Sequence, residues 1–229
     1  MHVTLAEELM LLSLDDESGV AKDGSSAGWA AAGGLLADLA LAGRIAVEEG
    51  RLAVTDRTPT GDPLLDDCLE RLAGWVERKA PGKAKAADWL TKDHPVAVRS
   101  AVQRLCERGL VVEERHRVLG LFPVRRYPEA DGSVERELRE RLAAVIRHHV
   151  TPDVRTATLI ALLHAARLHG LAFPDLPRAR VELRFGEIAA GDWAGESVGQ
   201  AIRNMHVAIA AITAVTVATA ATAATVAAG

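Results

Sequence analysis

Aromatic residues are scarce in this chain of 229 residues: four tryptophans, three phenylalanines and one tyrosine make up 3% of it. A core must therefore be built from Leu, Ala, Val and Ile, and a hydrophobic content of 49% supplies them amply at this length. Cysteine is nearly absent. Cys68 and Cys106 stand apart without metal-ligand spacing and read as two buried thiols. Catalytic signatures are missing as well, with no P-loop, G-x-S-x-G, H-E-x-x-H or paired-cysteine motif. His148 and His149 are adjacent and would face different sides of a helix, and His164 and His169 are five apart, a poor spacing for a shared metal. His164, on an apolar helix, reads as a core histidine with a backbone partner. The expectation is no catalytic residue, no metal, no cofactor and no enzyme activity. The start, Met1-His2-Val3-Thr4-Leu5-Ala6-Glu7-Glu8, has no basic region, predicting no secretory signal and a cytoplasmic location.

The net charge of −4 hides a segregation of sign. Residues 1–70 carry 4 basic and 14 acidic groups, residues 71–126 carry 13 and 6, and residues 127–229 carry 10 and 11. A basic middle suggests a face that meets anions, either lipid headgroups or nucleic acid. The plainer alternative is a solvated helical face balanced in space by the acidic first third. From Val207 to Gly229 there are 23 residues without a charge, long enough to span a bilayer. They are almost wholly Ala, Thr, Val and Ile, and Ala and Thr add little insertion energy. The segment therefore reads as an apolar C-terminal helix buried in a helical protein, frayed at its end.

Periodicity predicts a helix over 5–14 and a buried helix over 35–42 stopped by Gly43, with Gly33-Gly34 implying the close approach of another backbone. A hairpin over 44–55 and a helix over 64–79 follow. Residues 80–87 read as a mobile basic connection, and 96–108 as a helix stopped by Gly109. A second hairpin opens at Leu110-Val111-Val112, turns through Arg115, His116 and Arg117, and returns along 118–122. Helices over 133–149 and 156–168 come next. Residues 171–184 read as a proline-interrupted region, 186–195 as a loop, and Glu196 as the start of the final helix. Helix, glycine stop, hairpin, loop and helix occur twice, a self-similar layout. The predicted fold is mainly α: one compact helical domain over 1–229 with short β-hairpins, one projecting.

Between the first hairpin and its following helix lies Arg57-Thr58-Pro59-Thr60-Gly61-Asp62-Pro63-Leu64-Leu65-Asp66-Asp67. Thr60 or Asp62 can cap that helix, Pro63 suits its first turn, and Asp66 and Asp67 place acids at the positive end of its dipole.

Two binding readings follow from the basic middle. Residues 94–122 resemble the helix and wing of a winged helix-turn-helix, with Arg99, Ser100, Gln103 and Arg104 toward a DNA groove and Arg115 and Arg117 on phosphate. The acidic balance of the whole chain argues against nucleic acid as the partner. The second reading is a membrane hairpin: Val118, Leu119, Leu121 and Phe122 dip into a lipid interface while Arg115 and Arg117 meet anionic headgroups. The hairpin's free edge would also suit pairing with a second copy of the chain, giving a homo-oligomer.

The loop-helix string is one of five in order along the chain. The others are Leu5-Ala6-Glu7-Glu8-Leu9-Met10-Leu11-Leu12-Ser13-Leu14, Gly33-Gly34-Leu35-Leu36-Ala37-Asp38-Leu39-Ala40-Leu41-Ala42-Gly43-Arg44-Ile45, Leu105-Cys106-Glu107-Arg108-Gly109-Leu110 and Arg155-Thr156-Ala157-Thr158-Leu159-Ile160-Ala161-Leu162-Leu163-His164. Together they resemble the Golgi phosphoprotein 3 family of peripheral lipid-binding proteins. The resemblance implies a mainly helical domain with a projecting hairpin, membrane association through phosphatidylinositol 4-phosphate and, in eukaryotic members, recruitment of protein clients by their tails. The alanine- and arginine-rich composition points to a bacterial member. Eukaryotic members read the phosphate with a tryptophan and an arginine before the Gly-Gly pair, where this chain has Lys22, Asp23 and Ala32. Two further family arginines correspond to Pro95 and Val98. Trp29 and Arg99 are the nearest headgroup candidates.

Overall fold

In a computed structural model, which describes residues 3–22, 24–118 and 122–191, the chain enters its core at once. Thr4 and Glu7 close a capping box: the Glu7 N–H donates to the Thr4 hydroxyl (3.2 Å) and the Thr4 N–H donates to Glu7 Oε2 (2.7 Å). The helix they start, α1 (Leu5–Ser13), is buried on every side, Glu7 and Glu8 included. Against it lies α2 (Gly24–Leu41), which begins well before the expected Leu35 and is also buried along most of its length. The two backbones meet at Gly34, where an added Cβ would stand 2.9 Å from the Ala6 nitrogen and 3.1 Å from the Leu5 carbonyl carbon. This is the close approach that the glycine pair predicts.

Helix α2 stops at Gly43, whose φ of +69° lets the Arg44 N–H close on the Leu39 carbonyl at 2.9 Å. Strands β1 (Ile45–Glu48) and β2 (Arg51–Val54) then pair antiparallel, and α3 (Pro63–Glu77) follows. The order repeats. Helix α4 (Ala86–Glu107) stops at Gly109 (φ +72°), with the Leu110 N–H on the Leu105 carbonyl at 2.9 Å. Strands β3 (Glu114–Val118) and β4 (Phe122–Arg126) pair, and α5 (Ser133–Arg147) follows. Helices α6 (Val154–Ala165), α7 (His169–Ala172) and α8 (Arg178–Ala190) complete the described chain. Among the described residues the molecule is thus a mainly helical single domain with eight helices and two two-stranded sheets. Leucine and alanine dominate its core.

Four expectations are corrected. First, α4 runs through Pro95 instead of starting after it. Proline cannot donate to the carbonyl four residues back, that of Thr91. The ring nitrogen Nδ1 of His94 lies 3.1 Å from that same Thr91 oxygen and supplies the missing donor. Second, the basic connection is pinned: the Leu52 N–H donates to the Ala84 carbonyl (2.7 Å) and the Ala86 N–H to the Gly50 carbonyl (2.8 Å). Third, the second hairpin is displaced along the chain. Arg115, His116 and Arg117 lie on the outgoing strand β3, and the return strand begins only at Phe122. Fourth, residues 178–190 form α8, with Pro174 and Pro177 before it and Gly186 inside it. Val181, Phe185 and Ile188 bury one face of that helix, and this packing outweighs the glycine. The expected helix over 207–229, together with Leu119 and Leu121, lies outside the described residues.

Candidate functional site

The five motif strings converge on two buried charge clusters. In the first, Arg108 Nε lies 2.9 Å from Glu7 Oε1, and Nη2 donates to Asp62 Oδ2 at 3.4 Å. Asp62 is the cap of α3, accepting from the Leu64 and Leu65 N–H groups at 2.9 and 3.3 Å. Thr60 does not cap; its N–H and hydroxyl donate to Asp66 Oδ1 at 2.6 and 2.7 Å. Burial raises the Asp66 pKa, but the bonds from Thr60 and Gly61 outweigh it and hold the carboxyl below the ordinary range. In the second cluster Arg141 donates to Glu8 at 2.9 Å, while Arg155 lies 3.5 Å from Glu8 and donates to Asp38 at 2.6 Å and to the Val3 carbonyl at 2.6 Å. Asp38 Oδ2 also accepts the Leu5 N–H at 2.7 Å. Burial still wins at Asp38, whose pKa lies above the usual value despite Arg155. These acids and arginines fasten α1 to α2, α3, α4, α5 and α6. Facing one another, they act as fold determinants.

The surface candidates sit elsewhere. Trp29, on α2, is only 5% exposed. Its ring stacks on His94 at a centroid distance of 4.1 Å and an interplanar angle of 20°. Gly28 makes room for α4 there, since a Cβ would meet Val98 Cγ2 at 3.1 Å. Arg99 is exposed one residue beyond Val98 and makes no ion pair among the described residues. No ring contact or hydrogen bond joins Trp29 to Arg99. His94 was missed in the sequence; a side chain able to replace the proline's lost donor, directly before that proline, is the signal it carries.

The β3–β4 hairpin stands away from the helical body. Two of its arginine side chains are largely in solvent, Arg115 at 80% and Arg125 at 63%, sharing Glu113 at 3.3 and 3.6 Å. His116 pairs with Glu114 at 2.7 Å, and Val124 is exposed. Arg117 and Val118 lie on β3, and Phe122 opens β4. At the hairpin's foot the Tyr127 N–H donates to the Gly19 carbonyl (2.9 Å), and Val20 and Val112 are exposed nearby in the chain. Of the groove-facing residues in the DNA reading, Gln103 and Arg104 both donate to Glu107 at 2.9 Å. The acidic first third does balance part of the basic middle, through Arg108 with Glu7 and Arg71 with Asp67.

A family model, Golgi phosphoprotein 3 (GPP34), matches residues 5–205. The chain belongs to this family. No curated protein matches it. The family is known as phosphatidylinositol 4-phosphate-binding peripheral Golgi proteins, generally non-enzymatic lipid-binding adaptors. Among the described residues no helix is long and apolar enough to cross a membrane, and no three His, Cys, Asp or Glu side chains are grouped to hold a metal ion.

His164 has a side-chain partner in place of the expected backbone one: its Nδ1 lies 2.9 Å from His169 Nε2. Burial holds both imidazoles below their usual pKa, and the neighbouring His164 lowers that of His169 further. Both cysteines are free; Cys68 is buried, where burial pushes its thiol up, and Cys106 is only partly buried.

Proposed function

We propose that this member is a non-enzymatic peripheral membrane adaptor that binds anionic phospholipid, phosphatidylinositol 4-phosphate or a headgroup of like charge. The observation that carries the reading is the hairpin, standing off the body with Arg115 and Arg125 in solvent. Arginines on such an element meet headgroups while the apolar residues of 118–122 enter the interface. The exposed cations of α4 and the connection before it, Lys83, Lys85 and Arg99, extend the attraction. Arg99 is the headgroup candidate, and Trp29 with His94 shapes the wall of the helix crossing beside it. Protein clients would be carried to the membrane by the same anchoring, and a second copy would add at a hairpin edge.

The test is flotation with neutral phosphatidylcholine vesicles, with vesicles containing phosphatidylserine, and with vesicles containing phosphatidylinositol 4-phosphate, each at low and physiological salt. Binding to both anionic compositions, weakened by salt, is the expected result. Stronger binding to the phosphoinositide would assign the headgroup. Absence of binding at low salt, or binding to duplex DNA in a parallel gel shift that Arg99→Glu abolishes, would sink the lipid reading.

A further inference from the structure

A groove of about 310 Å³ lies between the end of α5 and the outer face of α8. On α8, Arg180, Leu183, Arg184 and Glu187 recur at helical spacing and line it, while Val181 lies at its base against the core. Ile146 and Leu176 complete an apolar floor. Leu183 is 68% exposed, the most exposed large hydrophobic side chain among the described residues. Burying it would be favourable, and nothing in the described fold does so.

The rim is cationic. Arg147 is held by Asp175 at 2.6 Å and Arg184 by Glu187 at 2.9 Å. Arg180 and His149 have no ion pair among the described residues. His149 also carries a positive φ of +56°, a conformation that L residues other than glycine adopt at a cost. Glycine would sit there without strain, yet an imidazole faces the groove. That conformation ends α5, with the Val150 N–H closing on the Ala144 carbonyl at 3.1 Å.

We propose that this groove binds a single-chain fatty carboxylate, its anionic end on Arg180 and His149 and its methylenes over Ile146, Leu176 and Leu183. Charge complementarity selects an anion, and the exposed leucine selects a chain attached to it. The volume sits at the low end of small-ligand pockets, roughly 300–1,000 Å³, which suits one slender chain and not a peptide. The inference is independent of the hairpin and of any phosphoinositide.

Isothermal titration of the full chain with dodecanoate below its micelle concentration tests it. The expected result is saturable 1:1 binding, weakened at least tenfold by Arg180→Glu and at least threefold by Leu183→Ser. Both positions are exposed, so thermal stability should be unchanged in each variant. Acetate should not bind at the same concentration, and dodecyl maltoside should bind at least tenfold more weakly. The hairpin variant Arg115→Glu with Arg125→Glu should bind dodecanoate normally. Absence of saturable binding, retention of wild-type affinity in either groove variant, equal binding of acetate or maltoside, or loss in the hairpin variant would each overturn the proposal.

Discussion

Replacing Arg108 by Met tests whether the motif arginine holds the fold together. The substitution keeps much of the side chain's length but removes the cation between Glu7 and Asp62. Glu7 is fully buried at 0% exposure and would keep only its Thr4 bonds, leaving Oε1 without its counter-charge. Removing one partner of a buried ion pair costs about 3–5 kcal/mol, because the remaining charge stays desolvated. Asp62 is 21% exposed and keeps both cap bonds, so its share is small. For a protein of this size about 1 kcal/mol moves Tm by roughly 2–4 °C, so the expected drop is about 6–20 °C. That is a large part of the ~5–15 kcal/mol that stabilises a typical domain. Urea unfolding followed by far-UV circular dichroism at pH 7 measures it. Adding Glu7→Gln to Arg108→Met removes the stranded charge, and the double variant should be more stable than the single one. A loss under about 1 kcal/mol in Arg108→Met, or no recovery in the double variant, would refute the buried-knot account.

Gly34→Ala should destabilise by about 1–3 kcal/mol, since the new methyl meets the α1 backbone. Gly74→Ala meets only the end of the Arg78 side chain at 3.5 Å and should stabilise α3 by up to about 1 kcal/mol; the two urea midpoints should move in opposite directions. His94→Ala loses the stack on Trp29 and the donor to Thr91, costing about 1–2 kcal/mol. Pro95→Ala in that background restores a backbone donor and should recover part of the loss in thermal melts. The His164–His169 couple gives a pH dependence. Both folded pKa values lie below the unfolded value of 6.5, so the unfolded chain binds more protons under that pH. The couple's stability is therefore fully present above pH 6.5 and lost as pH falls through the folded values. Wild type should lose Tm between pH 6.5 and 5 more steeply than His169→Phe, and parallel curves would count against this.

Local chemistry made much of the fold legible. Gly43 and Gly109 end helices because each closes a backbone loop in a left-handed conformation, and the hairpin after each shows as alternation beyond it. Asp62 was visible as one of two caps. Pro95 misled because its missing donor is replaced by the ring of its own neighbour, His94, and Gly186 because its local preference is overridden from a distance by the packing of α8 on α6. The charge clusters were beyond sequence reasoning for the same reason: Glu8 and Arg141 meet across 133 residues. Five strings that look like a recognition signature proved to be the two sides of those contacts. The candidate lipid residues were only partly legible. The hairpin was visible, while its register depended on where β3 began, and the burial of Trp29 depended on α4 passing over it.

The most direct measurement is flotation of the Arg115→Glu, Arg125→Glu variant beside wild type, on vesicles containing phosphatidylinositol 4-phosphate at low salt. Each arginine near an anionic surface contributes about 1 kcal/mol, so removing two should weaken partitioning by about 30-fold or more. Because the hairpin stands off the body, the melting temperature should stay unchanged. Loss of flotation in a variant with wild-type Tm is the predicted result; full flotation of the doubly reversed hairpin would contradict the account.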